Sequence, residues 1–384
     1  MLHRHMDIAK LQTALAGEKP YRLNQAKEAV YRGLISDWSE ATVLPPALRE
    51  KLNAECPVST LTVVSESTSS RGDTTKCALK CADGQIIETV LMRHQASPQR
   101  KNVSEDDDEH GRNTVCVSSQ AGCPMACAFC ATGTMGLKRN LTASEIVDQV
   151  LHFMRLLKKE GEVVTNVVLM GMGEPFHNHE NVMSALHTLN DAKGTGFGVR
   201  RLSISTCGIV PGILKLADEP SRFNLAISLH APNNDLRSKL MPVNKAYPLE
   251  KLFDAIKTYL TKTNRKVMFE YLLIEGVNDT PEIASELADL LIKENPANNG
   301  TPTPLYHVNL IKYHTTEVLG SAAERFGLTV NPLTGKAVFP SSPVERRKAF
   351  QQVLYDRGIS VTHRITFGED INAACGQLAN KAKK

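Results

Sequence analysis

Three cysteines at C-x3-C-x2-C spacing, Cys123, Cys127 and Cys130, lie in the segment Gly122-Cys-Pro-Met-Ala-Cys-Ala-Phe-Cys-Ala-Thr-Gly133, with an aromatic residue just before the last thiol. Three thiolates on one short loop can hold three irons of a 4Fe-4S cluster. The fourth iron then has no protein ligand. It is open to chelate the amino and carboxylate groups of S-adenosylmethionine (SAM) and to pass it an electron. A structural zinc site fits less well, because it wants four ligands in C-x2-C pairs. The only other close pair, Cys77 and Cys81, is C-x3-C in an apparent strand.

Further polar groups recur at strand ends. Gly171-Met-Gly173-Glu174-Pro175 follows a strand directly. A glycine-rich turn lets the backbone approach a ligand closely, and Glu174 can accept a bond from an ammonium. Gly173 and Glu174 are therefore expected to hold the amino group of SAM. Ser205 ends the next strand, and Ser228-Leu229-His230 ends the one after. Such ends are where α/β enzymes place their ligands. Taken singly, either serine is as well explained by strand capping, and His230 better as a satisfied structural histidine. Recurrence on successive strands moves the set toward ligand contact.

The elements that must position these groups are legible as periodic patterns. Residues 1–55 read as helical, with Leu11, Leu15, Ala26, Val30, Tyr31 and Leu34 at helical spacing. Residues 57–66 and 74–92 read as short strands, with an Asp83-Gly84 turn as a hairpin signal. Residues 95–113 are polar and read as an exposed linker, including the acidic run Glu105–Glu109. Beyond that, candidate strands Asn166–Met170, Arg201–Ser205, Asn224–Ser228, Val267–Leu273, Tyr306–Ile311 and Gly358–Arg364 alternate with helical patterns such as Ala143–Lys158, Leu249–Thr261 and Pro281–Lys293. This alternation predicts an α/β fold with a parallel sheet, either a barrel or an open doubly wound sheet. Residues 315–343, rich in Gly, Pro and Ser, read as an insertion loop. The expected organisation is a helical accessory domain at 1–55, a small β region and linker at 56–113, and a core at 114–384.

The 384 residues are enough for a large buried core, and the net charge of +4 permits nucleic acid as a partner without demanding it. The longest apolar runs are far shorter than the roughly 20 residues a spanning helix needs. The N-terminus lacks a signal-peptide core, so a cytoplasmic protein is expected. In that reducing compartment nine cysteines, an odd number with three clustered, point to metal and reactive-thiol roles rather than to a disulfide framework.

The chain resembles the RlmN family of dual-specificity rRNA and tRNA adenine C2-methyltransferases, and its relative Cfr, which methylates C8 of the same rRNA adenine. The matching stretches include Cys116-Val-Ser-Ser-Gln-Ala-Gly-Cys123, the cysteine loop, Asn140-Leu-Thr, Gly171–Pro175, Ser228-Leu-His-Ala-Pro232, Gly276-Val-Asn-Asp279, His307-Val-Asn-Leu310 and Asp370-Ile-Asn-Ala-Ala-Cys375-Gly-Gln-Leu-Ala379. The resemblance covers nearly the whole chain. It implies a partial (β/α) radical SAM barrel, with a 4Fe-4S cluster and SAM as cofactors. It implies that Cys375 is itself methylated, that Cys116 resolves the product through a transient disulfide, and that Glu88 accepts the ring proton. From the residues alone, Cys116 and Cys375 read as small core side chains and Glu88 as a solvated strand residue. His314 stands where family members carry an asparagine, at a position expected to touch SAM.

Adenine C2 and C8 are not nucleophiles, so polar transfer from SAM fails and the implied route runs through radical chemistry on a cysteine-borne methyl group. The resemblance further implies 23S rRNA and probable tRNA substrates, with C2 favoured over C8. It also implies an electron donor such as flavodoxin, no membrane partner and a monomer. The target base must leave its stack. Arg200-Arg201, Arg237, Lys239 and Arg346-Arg347-Lys348 are candidate phosphate contacts, although ordinary solvated charge explains any one of them better. Two other classes are weighed. Another radical SAM enzyme would not need Cys116 and Cys375. A non-enzymatic iron–sulfur RNA-binding protein would never consume SAM.

Overall fold

The computed structural model describes residues 8–94, 111–295, 305–319, 324–329, 331–332 and 336–379. The acidic run 105–109 lies outside them. The strands are β1 Thr62–Thr68, β2 Thr74–Lys80, β3 Ile86–His94, β4 Arg112–Cys116, β5 Gln120–Cys123, β6 Gly136–Asn140, β7 Asn166–Leu169, β8 Leu202–Thr206, β9 Asn224–Ser228, β10 Val267–Leu273, β11 Tyr306–Lys312, β12 Glu317–Leu319, β13 Lys336–Val338 and β14 Val361–His363.

Ten of these strands form one sheet in the order β1-β2-β3-β4-β7-β8-β9-β10-β11-β14. The first three pairings are antiparallel. The remaining six, from β4·β7 to β11·β14, are parallel. Helices 143–160, 179–190, 210–217, 249–263 and 281–294 connect the parallel strands, and helix 344–356 precedes β14. This is the parallel α/β sheet that the alternation predicts, and the partial barrel that the resemblance implies. Strands β7 to β11 are rich in Val, Ile and Leu because a parallel sheet flanked by helices buries both faces. The exposed β1 is polar at most positions, as suits a sheet edge.

The helix Ala143–Glu160 shows how local sequence fixes the scaffold. Thr142 and Glu145 form a capping box at its start, and Gly161 ends it with φ of 76°. Ile146, Val150, Phe153 and Leu157 recur on one face and are almost wholly buried. Glu145 also takes both guanidinium nitrogens of Arg139 at 2.8 Å, while Arg139 Nε donates to Asp83 at 2.6 Å. One cap residue thus ties β6 and the Asp83-Gly84 turn to the helix. The N-terminal helices dock on the same helix, through Arg155 Nε to Ile35 O at 3.0 Å and Lys158 Nζ to Gly33 O at 2.8 Å. Within them, Trp38 is fully buried and donates Nε1–H to Cys56 O.

Four features depart from the sequence expectations. The small β region is not a separate sheet, because β3 pairs with β4 and carries β1 and β2 onto the core sheet. The expected 95–113 linker ends early, since β4 already starts at Arg112. The stretch 315–343 is not only loop: β12 and β13 pair as an antiparallel ribbon, and Ser341 bridges to Ile274. The cysteine loop is framed by a hairpin, β5 with β6, too short and glycine-interrupted to show as an alternating pattern. No described helix is long and apolar enough to cross a membrane.

Arg237, a candidate phosphate contact better explained as solvated charge, is neither: it is a core residue with 0% exposure. Its guanidinium donates to the carbonyls of Cys207 at 2.7 Å, Leu229 at 3.2 Å and Ser228 at 3.3 Å, and to Asn244 Oδ1 at 2.8 Å. It joins the carboxyl ends of β8 and β9 where strand pairing has stopped. Burial lowers its pKa to about 10, which leaves it charged at neutral pH. Arg237→Leu strands these carbonyls in the core, and urea denaturation should register a loss of about 2–4 kcal/mol. A variant of wild-type stability with weakened RNA binding would contradict this structural role.

Candidate active site

The loop that carries Cys123, Cys127 and Cys130 is anchored at both ends and across its middle. Gly122 has φ of 76°, and a Cβ there would lie 1.9 Å from Gly136 O, so only glycine lets β5 approach β6 this closely. Ala128 N donates to Leu240 O at 2.8 Å and Thr316 Oγ1 to Phe129 O at 3.1 Å. Ala131 N donates to Gly376 O at 2.8 Å, and Thr132 Oγ1 to Leu378 O at 2.6 Å. Segments remote in sequence therefore fix the loop, including the one that bears Cys375.

The three thiols line one cavity. Burial pushes all three up, Cys123 to about 12, and charge on their neighbours opposes ionisation further, Cys130 and Cys123 acting on Cys127. Crowded, buried thiols of this kind ionise when a cation takes the proton's place. Among the described residues, the only trio of metal-ligating atoms within 4.8 Å of one another lies elsewhere. The loop thiols are thus spread too widely for one ion, and as a set of three on one cavity wall they fit a 4Fe-4S cluster with an open iron.

The cavity, about 1390 Å³ with its open mouth, runs along the carboxyl ends of the parallel strands. Cys116 ends β4, Met170 follows β7, Ser205 lies on β8, Ser228 ends β9, Leu272 lies on β10, Ile311 on β11 and Arg364 follows β14, and all of them face it. Gly173 has φ of 102°, and a Cβ there would come within 2.6 Å of Gln120, so the turn needs glycine to pass this close to β5. Glu174 is 3% exposed; its carboxylate accepts from Phe176 N at 3.0 Å and Cys207 N at 2.8 Å. A carboxylate offers about four lone-pair sites, so two are left for a ligand ammonium.

Gly173, Glu174, Ser205, Ser228, His230 and His314 all line the cavity; Leu229 does not, its side chain being fully buried in the core. His230 has φ of 59°, accepts from Leu272 N on Nδ1 at 3.1 Å and stacks edge-on against Phe129 at 4.7 Å. Burial, with Arg237 nearby, pushes it down to about 3, so it is neutral. His314 Nδ1 lies 3.2 Å from Glu369 Oε1, and Lys312 holds the same carboxylate at 2.8 Å.

Cys116 and Cys375, 259 positions apart in sequence, face the same cavity. Between the elements that carry them stands Arg364, whose Nη1 lies 3.2 Å from Met170 Sδ and 3.5 Å from Glu270 Oε2. The Cys375 thiol raises the pKa of Arg364 against the effect of burial, with Glu270 and Cys116 adding to it. Burial first and the neighbouring Cys375 next push Cys116 up to about 12, and Arg364 opposes them. Glu88 is buried rather than solvated. It pairs with Lys76 Nζ at 3.1 Å and accepts from Ala379 N at 2.8 Å, just behind the cavity wall formed by Val90 and Leu378.

Two cavity residues carried no recognised signal in the sequence. Arg364 closes the candidate strand Gly358–Arg364 and follows the observed β14, the same cue that singled out Ser205, but an arginine at a strand end reads as ordinary solvated charge. Glu270 sits mid-strand in an apolar run, where a buried carboxylate gives no pattern at all. Among the other expected phosphate contacts, Arg200, Lys239 and Lys348 are exposed, Arg201 and Arg347 half-buried, and Arg346 pairs with buried Asp279 at 3.3 Å.

The Radical SAM superfamily profile matches residues 117–288. The chain is 41% identical over 365 residues to a probable dual-specificity RNA methyltransferase RlmN of Caldicellulosiruptor saccharolyticus, covering 95% of this chain and 92% of that relative. It is 42% identical over 368 residues to the protein of the same description from Halalkalibacterium halodurans, covering 96% and 90%. The crystal structure of a radical SAM methyltransferase from Sphaerobacter thermophilus superposes with a TM-score of 0.81 at 43% identity, covering 97% of both chains.

Gly122→Ala is expected to break the β5–β6 approach, so that anaerobically reconstituted protein retains far less iron than wild type by iron and sulfide analysis. For His230 the folded pKa lies below the unfolded value of 6.5, so the unfolded state binds more protons between the two. Stability therefore falls as pH drops through 6.5 toward 3. Denaturant melts at pH 7 and 5 should show wild type losing about 1.5–2 kcal/mol more than His230→Asn, which tolerates the positive φ.

Proposed function

The chain belongs to the RlmN family of radical SAM methyltransferases, and from that premise we propose that it methylates C2 of an adenine in 23S rRNA and in tRNA, with Cys375 as the methyl carrier and Cys116 as the resolving thiol. The observation that supports this reading best is the convergence of Cys116 and Cys375 on the cavity that the three loop thiols line. A radical SAM enzyme that did not use a cysteine carrier would have no need of that meeting.

In this reading Cys123, Cys127 and Cys130 hold the cluster, and Gly173, Glu174, Ser205, Ser228, His230 and His314 line the place for SAM. A 4Fe-4S cluster with an open iron supplies, when bound, the electron that cleaves SAM to a carbon radical. The protein's own residues do the rest. Glu174 orients the amino group with the two acceptor sites that the backbone leaves free. His230 is neutral, so it adds no positive charge beside a sulfonium.

Arg364 favours whichever of its two thiols is ionised. While Cys375 carries charge, Cys116 is held as a thiol. Once Cys375 is a neutral thioether, its repulsion ends and the same guanidinium acts on Cys116 alone. The resolving thiol is thus activated only after the carrier is loaded. Its attack on the sulfur of Cys375 forms the Cys116–Cys375 disulfide and breaks the bond from that sulfur to the transferred carbon, which leaves with the bonding pair, stays on the base and takes up a proton to become methyl. Glu88 serves as the base that takes the ring proton, exchanging its bond to Ala379 N for the substrate, with Lys76 beside it. The exposed Arg200, Lys239 and Lys348 are available for phosphate contacts.

Two variants separate the roles. Cys375→Ala should abolish methylation with no protein–RNA adduct. Cys116→Ala should trap substrate RNA covalently on Cys375, visible as a band shift that survives denaturant. Normal methylation by Cys375→Ala would end the carrier mechanism. Nucleoside mass spectrometry of the product decides the carbon, 2-methyladenosine supporting C2 and 8-methyladenosine overturning it.

A further inference from the structure

A second set of ligating atoms lies away from the cavity. Glu66 on β1, Cys77 on β2 and His152 on the helix Ala143–Glu160 are the only described trio of His, Cys, Asp or Glu whose ligand atoms all fall within 4.8 Å. Glu66 and Cys77 are cross-strand partners. Lys76, the neighbour of Cys77 on β2, reaches Glu88, so Cys77 points to the other face of the sheet, toward the helix.

The measured edges are 3.3 Å from Cys77 Sγ to Glu66 Oε2, 3.2 Å from Cys77 Sγ to His152 Nε2 and 3.7 Å from His152 Nε2 to Glu66 Oε2. A tetrahedral zinc with one S, one N and one O ligand at its usual bond lengths has edges of about 3.3–3.6 Å. The three atoms therefore lie close to one face of a tetrahedron, each edge within about 0.4 Å of it. Cys77 is wholly buried, while the side chains of His152 and Glu66 are 24% and 41% exposed. The fourth corner accordingly opens toward solvent, giving an ion a way in and water a place to complete the shell. The thiolate and carboxylate together balance a divalent charge, and a thiolate–imidazole–carboxylate set selects zinc-like ions over magnesium or calcium.

We propose that Glu66, Cys77 and His152 form a binding site for a divalent zinc-class ion, one that fastens the β1–β2 hairpin to the helix Ala143–Glu160. Without the ion, the Cys77 thiol donates its proton to Glu66; the ion takes the place of that proton, which leaves to solvent.

The test uses protein loaded with its iron–sulfur cluster, so that Cys123, Cys127 and Cys130 are occupied. It is titrated anaerobically with zinc chloride, desalted and analysed for metal, with proton release followed in weak buffer. Wild type should retain one zinc per chain and release about one proton per ion at neutral pH. X-ray absorption at the zinc edge should show one sulfur at about 2.3 Å beside nitrogen and oxygen neighbours at about 2.0–2.2 Å. Cys77→Ser, His152→Ala and the surface variant Glu66→Gln should each weaken retention about tenfold or more while circular dichroism stays that of wild type. No zinc retained by wild type, or equal retention by folded Cys77→Ser and Glu66→Gln, overturns the proposal.

Discussion

The active site depends on how an open barrel is closed. The sheet runs from β1 to β14 with no strand pairing between its ends among the described residues. The gap is crossed by the C-terminal segment instead. Arg71 donates to Thr366 O at 3.1 Å, Ser70 N to Asp370 at 2.8 Å and Lys76 to Asn372 O at 3.2 Å, and Ala379 N reaches Glu88. Phe367 packs edge-on against His94 at 4.5 Å, and Gly368 sits so close to Thr74 that a Cβ would come within 2.7 Å. A strap of turns thus does what a last strand would do, leaning on β2 and β3. That is why the antiparallel strands belong to the core sheet: they give the strap its far support. The same strap holds the cysteine loop through Gly376 and Leu378, so Cys375 and the three loop thiols are positioned by one set of contacts.

Much of this was legible in the sequence where chemistry and periodicity coincide. C-x3-C-x2-C singled out the cysteine loop because three thiolates so close have few other uses, and its three thiols do line one cavity. The parallel strands were legible because burial on both faces demands unbroken apolar runs, and Asn224–Ser228 and Val267–Leu273 came out to the residue. Glu174, Ser205, Ser228 and His230 were found by position at strand ends, and all face the cavity. What failed depends on long-range contact. Arg237 looked like any surface arginine, since nothing local records that three carbonyls from two strand ends converge on it. Leu229 was grouped with its neighbours, but alternation turns it inward. Residues alone made Cys116 and Cys375 core and Glu88 solvated; only family resemblance marked them, because their meeting is made by the strap.

Charge is the second constraint on this cavity. Cys123, Cys127, Cys130, Cys116, Cys375, Glu174 and Glu270 are potential anions around one space, and Arg364 is the arginine that lines it among the described residues. Burial makes each additional negative charge expensive. The arrangement therefore favours neutral or cationic occupants, which suits the sulfonium of SAM. It also means that ionisation at one sulfur must be accompanied by loss of charge at another. Arg364, shared between Cys116 and Cys375 and steadied by Glu270, makes that exchange local. Its place just beyond β14, at the root of the strap, puts the shared cation and Cys375 on one continuous segment, with Cys116 fixed at the end of β4. The closure that completes the barrel thereby also brings Cys375 to the cavity that Cys116 lines.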